Sequence, residues 1–137
     1  MTISPYLCFA GNCREAFDYY LKHIGGKIDF SMTYADSPEA DKNPPGADKQ
    51  IMHMRGTFAG TMLMASDAVG DCFAKAQGVR LSLAVDSTSE AERLFKALSD
   101  GGVVDMPFGE TFYAHGFGMM TDKFGTPWMV IHSKMPA

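Results

Sequence analysis

Few side chains in this 137-residue sequence are suited to chemistry, and each sits in a definable pattern. His53 lies inside the apolar run IMHMRG, where an imidazole with a pKa near neutrality can act as a general base. The plainer alternative is a structural histidine satisfied within the core. Arg80 opens the run VRLSLAV. A guanidinium there is costly unless paired, and it suits a carboxylate, phosphate or phosphonate group. The competing reading places Arg80 at an exposed strand start or against a local Asp or Glu. His115 stands among aromatics and glycines in FYAHGFG, where backbone can approach a ligand, and an interface or solvent role competes with catalysis. His23 falls near a helix end, where its charge favours the macrodipole, and His132 near the end of a strand; neither needs a further role.

Cys8, Cys13 and Cys72 are odd in number and match no zinc or redox spacing, so reduced thiols in or near the core are expected. Methionine, 11 in all, is the compositional surplus; its flexible thioether suits a forgiving core or an adaptable apolar pocket. Phe112, Tyr113 and Trp128 can wall a cavity or fill a core. Asp67 and Asp122 are placed to form turns.

An internal repeat must position these groups. Residues 6–28 and 81–104 each read as a short strand, a polar turn, an amphipathic helix, a Gly-Gly stop and another strand, 75 residues apart at Glu15/Glu90 and 76 at Gly26/Gly102. Ala16, Phe17, Tyr20 and Ile24 make one helix face, and Ala91, Leu94, Phe95 and Leu98 the other. Asn12 with Glu15, and Ser87 with Glu90, have capping-box spacing.

Strand-like runs follow each helix: 27–34, 50–58 and 61–66 in the first half, 103–108, 112–121 and 127–132 in the second. Run 27–34 alternates Ile28, Phe30, Met32 and Tyr34 against polar residues. Ala59-Gly60 reads as a hairpin, 35–49 as a Pro-rich loop, and 67–78 as a linker. The result is α+β: a single domain of two βαβββ modules, about 3–66 and 79–133. Two helices leave one face of the strands uncovered, which must meet a partner or line a cleft. In 79–85 the alternation assigns Val79, Leu81, Leu83 and Val85 to the helix side, and Arg80, Ser82 and Ala84 to the concave side.

Composition excludes several classes. Twelve basic against sixteen acidic residues give a net charge of −4 with no basic stripe, which argues against nucleic acid. No run of about 18 apolar residues is present, and the N-terminus lacks a secretory pattern, so no membrane partner and a cytoplasmic location are expected. Walker A, G-x-G-x-x-G, G-x-S-x-G and H-E-x-x-H motifs are all missing.

The segments YLCFAGNCREAFDYY, IMHMRG with TMLMASD, and TFYAHGFGMMTDKFGTPWMVIH together resemble the vicinal oxygen chelate superfamily of glyoxalases, bleomycin resistance proteins and dioxygenases, in its PhnB-like branch, over about residues 3–133. The resemblance implies paired βαβββ modules forming a curved mixed sheet around a cleft, a small-molecule ligand and a homodimer. His53 matches a histidine usual in that branch.

Metal-dependent relatives use four side chains, two per module. Those positions fall here on Pro5, about Leu63, Arg80 and Met129, none a plausible ligand for such an ion. No metal and no cofactor are therefore expected. A ubiquinone-pathway methyltransferase label sometimes attached to this branch finds no Gly-rich first strand-helix turn to support it. The expected site is an apolar pocket with His53 as candidate base and Arg80, Ser82, Met64, Phe112, Tyr113 and Met129 as candidate ligand contacts. The reaction is unassigned; the alternative is a non-catalytic binding or sequestration protein of the bleomycin-resistance type.

Overall fold

The computed structural model describes residues 1–69 and 73–135. The element order is β1 (Tyr6–Phe9), α1 (Cys13–His23), β2 (Lys27–Thr33), β3 (Ile51–Phe58), β4 (Thr61–Asp67), then β5 (Leu81–Ala84), α2 (Thr88–Ser99), β6 (Val103–Gly109), β7 (Ala114–Thr121) and β8 (Pro127–Ser133). The architecture is thus α+β with the βαβββ order occurring twice. Each set forms its own four-stranded mixed sheet, ordered β1-β4-β3-β2 and β5-β8-β7-β6. In each, the first strand runs parallel to the last and the other pairs are antiparallel. The chain divides into two compact units, Met1–Ala74 and Lys75–Ala137.

In the first unit α1 packs on β3 and β4. Its buried residues are Cys13, Ala16, Phe17 and Tyr20, with Ile24 reduced to the C-cap. Phe17 and Tyr20 meet Phe58 edge to face at 5.3 and 6.3 Å. In the second unit α2 buries Ala91, Leu94 and Leu98 against its sheet, over Met120, Trp128 and Val130. Both helices end as the Gly pairs require, with Gly25 and Gly101 at φ of 87° and 75°.

The second glycine of each pair has a different duty. A Cβ on Gly26 would lie 2.1 Å from the Thr57 carbonyl oxygen, and one on Gly102 would lie 2.2 Å from that of Thr121. The repeat keeps two glycines because the backbone of the returning strand passes there with no room for a side chain. The β3–β4 hairpin turns at Ala59-Gly60 with φ of 49° and 81°, the two positive values a tight primed turn needs.

Several expectations need correction. Asn12 does not cap α1, and its side-chain oxygen is buried without a partner. Asp67 does that work instead. It ends β4 rather than opening a turn, and its Oδ1 accepts from the Gly11 and Cys13 N–H groups, both at 3.0 Å. Its Oδ2 accepts from Ile51 N–H at 2.8 Å. Ser87 does cap α2, accepting from Glu90 N–H at 3.1 Å, but the Glu90 carboxylate turns to Arg93. Val79 is 73% exposed and Arg80 precedes β5, so the alternation holds only over the four residues of that strand. Phe112 and Tyr113 fall before β7 rather than in it. Asp122 is the turn former expected, accepting from Phe124 and Thr126 N–H at 2.9 Å each, and it also accepts from Trp128 Nε1 at 2.9 Å. Cys8 is exposed, not held in the core. Cys72 and part of the 67–78 linker lie outside the described residues.

Candidate functional site

Strand pairing decides which side chains share a face. In the first sheet Leu7, Met54, Gly56, Leu63 and Ala65 face α1. The opposite, open face carries Tyr6 and Cys8 of β1, His53, Arg55 and Thr57 of β3, and Met62, Met64 and Ser66 of β4. Leu63, 5% exposed, is therefore a core residue, and Met64 is the open-face residue beside it. Likewise Tyr6, not Pro5, stands across from Met64.

A β-bulge brings β2 into this face. The register slips between Ile28 and Phe30, so Ile28 pairs with Gly56 on the helix side while Phe30 pairs with Arg55 on the open side. The simple alternation expected for this strand would have put both on one face. An extra residue that re-aims a side chain is the usual consequence of a bulge. The slip is held by Asp29, the inserted residue, whose Oδ2 accepts from Thr57 Oγ1 at 2.6 Å. That bond, with Lys27 close by, holds the Asp29 carboxyl below its ordinary range.

The result is a cluster around His53. The Tyr6 ring stacks on it at 5.8 Å, and the Tyr6 hydroxyl lies 3.3 Å from His53 Nδ1. The Phe30 ring is 6.0 Å away, and the Arg55 guanidinium lies over Phe30 at 5.4 Å. Aromatic faces, an imidazole, a phenol and a cation thus share one exposed surface, beside the half-buried Met64. Sequence reasoning found His53 and Met64 but missed Tyr6, Phe30 and Arg55. The apolar-polar pattern of IMHMRG carried a signal for Arg55, because it stands two residues from His53 on the same side of a strand.

Arg80 has a different fate. Its Nη1 donates to the Met120 and Trp128 carbonyls at 3.1 and 3.2 Å and pairs with Asp105 at 2.9 Å. Asp105 also accepts from Thr121 Oγ1 at 2.8 Å, and that bond, ahead of the Arg80 contact, holds its carboxyl below the usual range. A cavity of about 420 Å³ in the second unit is lined by Arg80, Asp105, Thr121, Gln77, Val79 and Pro127 among others. Arg80 enters it already neutralised. A cavity of about 250 Å³ in the first unit lies between the Pro44–Ala47 loop and Ala10, Gln50, Ala68, Val69 and Phe73, and His53 lines neither.

The remaining candidates scatter. Ser82 pairs with Met129 on the open face of the second sheet, near Met119. Phe112 is 92% exposed, and Tyr113 packs edge-on against it and against Phe117 at 5.0 and 5.6 Å. Trp128 is a core residue, 2% exposed. His115 and His132 lie ring to ring at 4.8 Å, and His132 Nδ1 is 3.0 Å from Thr88 Oγ1. His23 packs on Tyr19 in the last turn of α1. Burial, then the nearby Asp67 charge, pushes the Cys13 thiol up to about 12, which makes it inert.

Among the described residues no group of three or more His, Cys, Asp or Glu is placed to hold a metal ion. At the four positions where metal-dependent relatives keep ligands, the register offers Tyr6 or Pro5, Met64 or Leu63, Arg80 and Met129. A phenol already bonded to imidazole, thioethers and a paired guanidinium do not fit a hard divalent ion.

The chain matches the family model described as 3-demethylubiquinone-9 3-methyltransferase over residues 1–131. It is similar to Protein YjdN of Escherichia coli (strain K12), 38% identical over 138 residues that cover 95% of this chain and 94% of the relative. The crystal structure of PA1353 from Pseudomonas aeruginosa superposes with a TM-score of 0.85 at 46% identity, covering 96% of this chain and 97% of that one. A PhnB protein from Bacillus cereus, also named after 3-demethylubiquinone-9 3-methyltransferase, gives 0.82 at 25% identity, covering 96% and 99%. The fosfomycin resistance protein FosX of Listeria monocytogenes, at 9% identity and a TM-score of 0.66, shares the fold alone.

The family's name implies a methyl donor, and the residues here do not fit a nucleotide-like one. In dinucleotide-binding folds the first strand-helix turn offers free N–H groups to the cofactor. Here Gly11 and Cys13 give theirs to Asp67. No helix among the described residues is long and apolar enough to cross a membrane. The match over nearly the whole length, with the twofold βαβββ architecture, places this chain in the 3-demethylubiquinone-9 3-methyltransferase family, a PhnB-like branch of the glyoxalase/bleomycin resistance fold.

Proposed function

We propose that this chain is a cytoplasmic, homodimeric small-molecule binding protein whose ligand meets the open face of the first sheet, with His53 as the proton-transferring group. The observation that carries this reading is the grouping of Tyr6, Phe30, His53 and Arg55 on one exposed face of a central strand. Two aromatic rings and Met64 supply apolar contact, and a few polar groups fix orientation, the usual composition of a small-molecule site. The Tyr6 hydroxyl can set which His53 nitrogen carries the proton, a condition for directed acid–base work. The chemistry falls to side chains alone, as proton transfer or addition–elimination.

Methyl-labelled methionine makes the test direct, because the sequence distributes thioethers on both sides of both sheets. A screen of small carboxylates, phosphonates and neutral aromatics by methyl NMR should shift Met62 and Met64 while leaving the buried Met54 and Met120 in place. Shifts absent from Met62 and Met64 for every compound would contradict the reading. The sequestration alternative, resembling the bleomycin resistance proteins, is separated by His53→Ala in any reaction found for a bound compound: an enzyme loses turnover with a modest change in affinity, whereas a sequestering protein has no turnover to lose.

A further inference from the structure

We infer that Arg55 is the anion-recognising group of this protein, and that the ligand class is an organic oxyanion, a carboxylate or phosphonate joined to a flat apolar body. This rests on the reading of the first open face as the ligand face and adds the charge of the ligand to it.

Two arginines stand on or beside the open faces, and their surroundings are opposite. Arg80 is consumed by Asp105 and two backbone carbonyls. Arg55 is exposed, and among the described residues it has no hydrogen bond or ion pair. Its guanidinium lies over the Phe30 ring, which orients it without using any of its N–H donors, and its charge also reaches the Asp29 carboxylate. The carboxylate nearest along the paired strand, Asp29, is already bonded to Thr57 at 2.6 Å and lies 3.5 Å from Lys27.

The bulge in β2 is what creates this arrangement. It carries Phe30 to the face of Arg55 and turns Asp29 toward Thr57, so the same backbone irregularity seats the cation and occupies the acid. The net charge of the whole chain is −4, so an unpaired cation on a central strand runs against the balance of the molecule. Its five N–H donors match a planar or tetrahedral oxyanion. The adjoining Phe30, Tyr6 and Met64 suit the apolar remainder of such a molecule, and His53, two residues from Arg55 on the same strand, shares that face.

The experiment uses phenylphosphonate as the anionic probe and benzamide as its neutral counterpart, each titrated into methyl-labelled full-length protein. Phenylphosphonate should shift the Met64 methyl saturably, and Arg55→Gln should weaken that binding at least tenfold. Arg55→Lys, which keeps the charge and loses the planar fork, should fall between the two, and Arg93→Gln on α2 should match the unaltered protein. Raising the salt should weaken the anion and spare benzamide. Benzamide binding at Met64 as tightly as phenylphosphonate, or Arg55→Gln within twofold of the unaltered protein, would overturn the anion assignment while leaving the face intact. Loss of binding confined to Arg80→Gln would overturn it as well. No shift at Met62 or Met64 with either probe would overturn both the assignment and the reading it rests on.

Discussion

In the first sheet the bulged Asp29 accepts from Thr57, and in the second the bulged Asp105 accepts from Thr121, at 2.6 and 2.8 Å. Both bulges interrupt the strand that follows a Gly-Gly stop, and both second glycines are pressed against the carbonyl of that same threonine. The framework is thus repeated down to single hydrogen bonds. The groups standing on it differ. Phe30 and Arg55 pair in the first sheet where Met106 and Met119 pair in the second, and His53 has Phe117 in the corresponding place. Beside its open face the second unit has Arg80, which is a structural tie to Asp105. The two modules share the parts that make the fold, while their open faces carry different side chains.

Breaking that comparison begins with the strand-helix turns, which differ between the copies. Asp67→Ala would strip a buried acceptor from three backbone N–H groups, and urea unfolding should show a loss of about 3–5 kcal/mol. The corresponding turn of the second unit rests on the half-buried Ser87 cap, so Ser87→Ala should cost only about 1 kcal/mol. Equal losses would show that the two turns are not organised differently.

The shared framework predicts matched effects. Gly26→Ala and Gly102→Ala each drive a methyl into a backbone carbonyl, and each should cost about 2–3 kcal/mol. Gly26→Ala should be the worse, because its φ of 136° is also disfavoured for alanine. The single Trp128 reports unfolding of the second unit by fluorescence, and circular dichroism reports both.

Arg80→Gln should lower stability by about 1 kcal/mol, with the loss read through Trp128. Its partner supplies a pH signature. The folded Asp105 carboxyl titrates below its unfolded value of about 3.8, so its contribution is complete above that pH and disappears as pH falls through the lower folded value. The stability difference between the unaltered protein and Asp105→Asn should therefore be flat from pH 7 to 5 and shrink only below about 4. The smallest stability effect belongs to the open face: His53→Ala should change the unfolding free energy in urea by no more than about 0.5 kcal/mol, since the ring is partly exposed and holds no buried group.

The repeat, both helices with most of their buried faces, and all eight strands to within a few residues were readable from hydrophobic period and Gly punctuation. Those signals are local, and so are the forces behind them. What failed was governed by distant partners or single-residue slips. Asp67 reads as a turn residue until Gly11, Cys13 and Ile51 are folded around it. Arg80 reads either as a ligand group or as the partner of an acid, and the acid it meets, Asp105, lies 25 positions on and reaches it only through the fold. A bulge adds one residue without changing composition, so the period-two pattern of 27–34 gave no warning that Phe30 would cross to the face of His53. Leu63 and Met64 were one register step apart, and in a strand one step exchanges core for open face.

The central claim is that, of two faces built on one framework, the first meets the ligand. Intermolecular NOEs between the ring protons of phenylphosphonate and the methionine methyls test it most directly. The account predicts contacts to Met62 and Met64; contacts confined to Met119 and Met129, or none to any methionine at saturating probe, would contradict it.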